Sequence, residues 1–142
     1  MVMKEVLQKT RFEKEALLFK VLMHPVRLSI LNLLRDGEQC VCHLMAVLGF
    51  RQAYISQQLS VLRDLGIVEI KREGVNIYYR IVLPQILEVM DLACEIAGNH
   101  VNMEIAKPAL CNCPKCRCVN HNQGVFRDIE KIDNHLLPNI KS

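Results

Sequence analysis

Four cysteines fall within eight residues near the C-terminus, Cys111-Asn112-Cys113-Pro114-Lys115-Cys116-Arg117-Cys118. The pattern C-x-C-x-x-C-x-C offers four thiolates on a turn-forming segment, dense enough to chelate a soft metal ion. Lys115 and Arg117 offset the negative charge that such thiolates accumulate. A second group, Cys40 and Cys42, has a one-residue spacer and stands at the predicted start of a short helix. Two sulfurs so spaced reach one ion most easily where the backbone is not yet wound, and the dipole at a helix N-terminus favours the metal-binding thiolate. Two sulfurs do not complete a trigonal or tetrahedral site. The tail cysteines are the obvious further donors. They either close over Cys40 and Cys42 or form a separate structural zinc or storage site, and the incomplete pair favours the first. His43 follows Cys42 but is expected to project elsewhere, as a surface residue. His100 and His121 could join such a site and suit zinc better than a softer, thiophilic ion.

The chain that carries these groups has 142 residues, of which 51% are apolar and 23% charged. Such a length buries roughly 68–70% of the unfolded surface, enough for one domain, and wholesale disorder is excluded by the composition. No apolar run approaches the roughly 18 residues that span a bilayer. The start, MVMKEVLQKT, is charged rather than signal-like, so a cytoplasmic protein without a membrane partner is expected. Seven cysteines in that setting point to metal or thiol chemistry rather than disulfides. The net charge of +3 is too small to attract a polyanion unless the positive charge is local.

Helical periodicity runs from Lys4 to Met23, apolar nearly all round in LLFKVLM, with Val6, Leu7, Ala16, Leu17, Leu18, Val21 and Leu22 available for burial. His24-Pro25 breaks it, and Pro25 opens a second helix that buries Val26, Ile30, Leu33 and Leu34 and stops at Gly37. A short helix follows from Val41 to Leu48, ended by Gly49. A longer one runs from Gln52 to Leu65, ended by Gly66. Ile55, Leu59 and Leu62 share one stripe of the longer helix, while Ala53, Ser56, Gln57, Ser60 and Asp64 make its opposite face small or polar. Two such helices joined by a tight turn form a helix-turn-helix pattern.

IVEIKREGVNIYYRIV then reads as a β-hairpin turning at Arg72-Glu73-Gly74, with a basic edge of Lys71, Arg72 and Arg80. Pro84 opens a last helix to about Ala97, striped by Ile86, Met90, Ala93 and Ala97. The fold class is mainly α with a β-hairpin: four helices, two strands and a fifth helix in a winged helix-turn-helix. Residues 1–99 form this DNA-binding and dimerisation domain, and residues 100–142 a Cys-rich appendage.

HPVRLSILNLL, EQCVCHLMAVLG and RQAYISQQLSVLRDLGIVEIKREGVNIYYRI together resemble the ArsR/SmtB family of bacterial metal- and thiol-responsive repressors. The resemblance covers residues 15–97. Its most specific pieces are Glu38-Gln39-Cys40-Val41-Cys42, the S-x-Q-L of Ser56 to Leu59, and the REG…IYY wing. It implies a homodimer built from the first and last core helices on a palindromic double-stranded operator. The helix from Gln52 enters the major groove and the wing approaches the minor groove. Matching contact positions are Gln52, Ala53, Ser56 and Gln57, and Gln pairs bidentately with adenine. Members often carry Ser where Ala53 stands and His where Gln57 stands, so base preference does not transfer. Arg51 lacks the oxygen of an N-cap residue and is placed to neutralise a phosphate, as are Lys71 and Arg72 of the wing.

The same resemblance makes C-V-C the inducer site of arsenite-, cadmium- and lead-responsive members. Arsenite sensors often add a third Cys where Met45 stands here. The implied function is repression relieved when As(III), Cd(II) or Pb(II) binds Cys40 and Cys42 with Cys111, Cys113, Cys116 and Cys118. Zinc-responsive members use Asp and His pairs on the last core helix. Val82, Leu83, Gln85, Glu95 and Gly98 around those positions leave no such site. Sulfide- and redox-responsive relatives use a Cys on the second core helix and one near the end of the last. Cys94 approximates the latter, but Asn32 stands at the former, and a lone Cys on an apolar face is expected to be packed core. The alternatives are therefore a thiol-redox or sulfide-responsive repressor, or a metal-buffering protein that works through its tail. Nothing resembles a nucleophile–base pair, a phosphate loop or an H-E-x-x-H helix, so an enzyme is not expected.

Overall fold

A computed structural model describes residues 11–98. Helix α1 spans Arg11–Leu22 and α2 spans Pro25–Leu33, with His24 extended between them and Pro25 in the first turn. The short strand β1, Gln39–Cys40, leads into α3, Val41–Leu48. Helix α4 is Gln52–Asp64, the wing strands are β2, Val68–Glu73, and β3, Asn76–Ile81, and α5 is Gln85–Ile96. The predicted order of helices and wing is thus observed, with one strand added. Of the predicted first helix, Lys4 to Thr10 lies outside the described residues, as does everything from Asn99 onward.

The added strand changes the wing. Its order is β1-β3-β2, all antiparallel, so β3 is the central strand. Successive strand residues face opposite sides, so Tyr79 joins the core cluster while Tyr78, adjacent in sequence, is buried on the other face of this central strand. The hairpin turns at Gly74-Val75 rather than at Arg72-Glu73-Gly74, because Glu73 already pairs with Asn76 and Gly74 supplies the positive φ. Helix α2 ends at Leu33, four residues before Gly37, as Leu34 caps it and its chain bends away.

The core is a single cluster. Val26, Ile30, Leu31, Leu33 and Leu34 of the α2 region meet Leu44, Val47 and Leu48 of α3 and Ile55, Leu59 and Leu62 of α4, with Ile67 and Val68 closing it toward the wing. Leu31, not predicted to be buried, is fully enclosed. Helices α1 and α5 bury little. Val21, Leu22 and Ile86 are inside, but Ala16, Ala93 and Ala97 are exposed, as are Phe12, Phe19, Leu92 and Ile96. The stripes expected to be buried on these two helices therefore remain open in a single chain. No single described helix is long and apolar enough to cross a membrane.

Gly49 separates the two helices of the helix-turn-helix at φ +74, its N–H donating to the Met45 carbonyl at 2.8 Å. An added Cβ meets nothing within 4 Å. Gly49→Ala is therefore expected to cost only the strain of a Cβ in the left-handed region, about 1–2 kcal/mol. Urea unfolding checks this as a lower midpoint at unchanged slope.

Candidate nucleic-acid interface and thiol pair

Helix α4 presents two faces. Ile55, Leu59 and Leu62 have no exposure, while Arg51, Gln52, Ala53 and Gln57 are exposed and Ser56 is half-buried. All five contact positions expected there thus reach the surface opposite the core. Gln58, legible in the sequence only as part of the S-x-Q-L signature, is buried on the inner face. Arg51 occupies the N-cap in extended conformation and makes no side-chain cap bond, as its chemistry requires. Tyr54 flanks this outer face. Its ring stacks obliquely on Phe50 at 5.0 Å, and its hydroxyl lies 3.5 Å from His24 Nε2.

The basic edge of the wing is largely compensated. Lys71 Nζ meets Glu73 at 2.9 Å and Glu38 at 3.2 Å, and both carboxylates raise its pKa, Glu73 more. Arg80 is paired with Glu69 across the hairpin. Of the three cations expected on this edge, only Arg72 is exposed without an ion pair among the described residues.

Cys40 and Cys42 share one end of α3, but in different environments. Cys40 is buried and is the N-cap; its Sγ accepts the His43 N–H at 3.3 Å. Cys42 is exposed, the second residue of the helix. A donor aimed at Sγ favours the anionic, metal-ligating sulfur. Cys40 also belongs to β1, where it pairs with Tyr78 of the central wing strand. His43 is not the surface residue expected: it is half-buried, its Nδ1 is enclosed without a hydrogen-bond partner among the described residues, and burial lowers its pKa. Among the described residues no three His, Cys, Asp or Glu side chains converge on one ion. The pair fits a thiophilic ion only as part of a larger donor set. Cys111, Cys113, Cys116 and Cys118 lie outside the described residues.

Cys94 is half-buried and lines a cavity of about 700 Å³ between α1, α2 and α5, with Leu28, Asn32 and Met90. Among the described residues no other cysteine lines it. At its rim Arg35 holds Asp91 bidentately at 2.6 and 3.0 Å, which lowers the carboxyl's pKa and ties α5 to the end of α2.

The family description "Bacterial regulatory protein, arsR family" matches residues 24–69, from the His24-Pro25 break into β2. A biofilm growth-associated repressor of Agrobacterium fabrum is 46% identical over 71 residues, half of this chain and 61% of that protein. A transcriptional repressor SmtB homolog of Synechocystis is 33% identical over 98 residues, 69% of this chain and 72% of that one. The solution structure of a homodimeric winged helix-turn-helix DNA-binding domain from Mycobacterium bovis superposes with a TM-score of 0.57 at 32% identity, covering 66% of this chain and 91% of that domain. These relatives are regulators, not enzymes, and the family match takes in the helix-turn-helix and the start of β2. With that architecture and that likeness together, the chain belongs to the ArsR/SmtB family of winged helix-turn-helix transcriptional regulators.

Proposed function

We propose that this chain is a homodimeric repressor that releases its operator when a thiophilic metal or metalloid, As(III), Cd(II) or Pb(II), binds at cysteine thiolates. The observation that carries the reading is the position of Cys40. Its sulfur caps the first helix of the helix-turn-helix, and its backbone pairs with the wing. An ion shared with Cys42 draws the Cys40 sulfur away from the His43 N–H. It also pulls on β1, and thereby on both elements that approach DNA. Only such a difference between bound and free geometry couples an effector to an operator, and couplings of about 1–3 kcal/mol change affinity 5- to 150-fold.

Two thiolates need completion, and Cys111, Cys113, Cys116 and Cys118 supply it, from either subunit; zinc held by the tail alone is the lesser use of those residues. Outward-facing Phe12 and Phe19 on α1 and Leu92 and Ile96 on α5 support pairing of the protomers through these helices. Gln52, Ala53, Ser56 and Gln57 read bases in the major groove, and Arg51, Arg72 and, more weakly, Lys71 meet phosphates. The thiol-redox alternative has one observation in its favour, Cys94 at the cavity, and lacks a facing second cysteine there among the described residues.

Fluorescence anisotropy with a duplex selected from a random pool, under reducing conditions, tests this. Titration with arsenite, Cd(II) or Pb(II) is expected to weaken binding 5- to 150-fold, and less so as pH falls and protons compete for the thiolates. Cys40→Ser with Cys42→Ser is expected to keep duplex binding, since Ser is a good N-cap, and to abolish the metal response. Metal-driven release that survives this double change would sink the proposal.

A further inference from the structure

Arg27 stands in the first turn of α2, outside the helix-turn-helix, and no function assigned above uses it. It is half-buried, its Nε is enclosed, and it makes no ion pair or hydrogen bond among the described residues. A guanidinium brings five donors and a permanent charge. Taking one out of water without an anion is costly, and burial does lower its pKa, with only the Tyr54 side chain opposing that shift. Even the more exposed Arg35 and Arg80 each have a carboxylate opposite, in Asp91 and Glu69.

The neighbourhood says which anion fits. Tyr54, whose side chain lies near enough to influence Arg27, is the third residue of α4 and borders Gln57 on its outer face, one turn along. His24, which contacts the Tyr54 hydroxyl, is the N-cap of α2 and makes no side-chain cap bond, so among the described residues that first turn beside Arg27 has no side-chain cap. Two independent features, an uncompensated cation and an uncapped helix start, call for negative charge at the flank of the reading helix.

We infer that Arg27 contacts a backbone phosphate of the duplex engaged by α4, fixing from α2 the depth and angle at which the reading helix lies in the groove. The inference rests on the DNA-binding reading above and adds to it a contact outside the helix-turn-helix and wing. A planar fork matches two phosphate oxygens, so the contact is bidentate and orienting. It carries no sequence information and serves every duplex alike.

The test is the salt dependence of duplex binding by the full-length chain and by Arg27→Gln. The slope of log affinity against log salt is expected to become shallower by about 0.9 for each phosphate that is no longer neutralised. The affinity loss is expected to be equal, as a fold-change, on the selected duplex and on a random one. Arg27→Lys keeps the charge and is expected to keep most of the slope. An unchanged slope in Arg27→Gln, with wild-type duplex binding intact, overturns this inference alone. Absence of duplex binding by the wild type overturns it together with the DNA-binding reading. A fall in dimer mass by sedimentation, with the slope unchanged, assigns Arg27 to a carboxylate of a second copy and also overturns it. Should Arg27→Gln not fold, the 15N signal of the wild-type Arg27 Nε–H decides. It is expected to become protected on duplex addition and to be released at high salt, and no change at saturation overturns the inference.

Discussion

Replacing Leu59 by alanine is expected to cost about 2–5 kcal/mol, or roughly 30- to 5,000-fold in the folding equilibrium. Leu59 has no exposed surface and lies between Ile55 and Leu62 on the inner stripe of α4, against Leu44, Val47 and Leu48 of α3. Removing its isobutyl group loses the transfer free energy of the buried carbons and leaves a cavity. The cavity closes poorly, because α3 and α4 are joined through a short turn fixed by Gly49. Domains of this kind hold only about 5–15 kcal/mol in total, so the lower end of the range already removes a substantial share. Gln57→Ala, two residues earlier on the outer face, is expected to change stability by no more than about 0.5 kcal/mol. Urea unfolding of the two variants side by side checks the assignment of faces. A Leu59→Ala cost below about 1 kcal/mol would mean that α4 is not packed as described.

That assignment of faces is the most legible feature of the sequence, and the reason is local. Ile55, Leu59 and Leu62 recur at the helical period, and Gly49 and Gly66 take the positive φ that ends each helix. Such signals depend on neighbours a few residues away. The strand Gln39–Cys40 has none, since two residues carry no periodicity and their partners in β3 are nearly forty positions distant. Two consequences are therefore invisible in the sequence: why consecutive tyrosines are buried, and how Cys40 is linked to the wing. Lys71 misleads for the same reason. Its charge marks it as a phosphate contact, and nothing local reveals that Glu38 reaches it across the sheet. Arg27 gives no signal because an arginine in an amphipathic helix reads as solvated. Only its Nε, enclosed and without a partner among the described residues, distinguishes it. The apolar stripes of α1 and α5 are legible as surfaces to be covered, but the single chain does not cover them. The thiol site is legible in the sequence only as a donor inventory. Cys40 and Cys42 prove to differ in burial, which their spacing does not indicate.

Simultaneous change of Gln52 and Gln57 to alanine is expected to abolish sequence preference while leaving DNA binding as such. Each bidentate amide–base pair is worth about 1–3 kcal/mol of discrimination. Contributions at separate base pairs are roughly additive, so the double change is expected to cost about 2–6 kcal/mol on the selected duplex, roughly 30- to 25,000-fold. Both side chains are exposed and lie away from the core, so the variant is expected to unfold at the same urea concentration as the wild type. Affinity for a random duplex, which depends on phosphate neutralisation, is expected to change little, and its salt slope not at all. The wing supplies the opposite control. Arg72 has no carboxylate partner among the described residues, and Arg72→Ala is expected to weaken all duplexes alike and flatten the slope by about 0.9 per phosphate. Lys71, held by Glu73 and Glu38, is expected to contribute less than Arg72 to that slope. Equal losses on selected and random duplexes for the Gln52/Gln57 variant would instead make these amides phosphate ligands. Specificity would then have to come from Ser56 and from the deformability of the operator, because Gln58, the remaining amide of α4, is buried on the inner face.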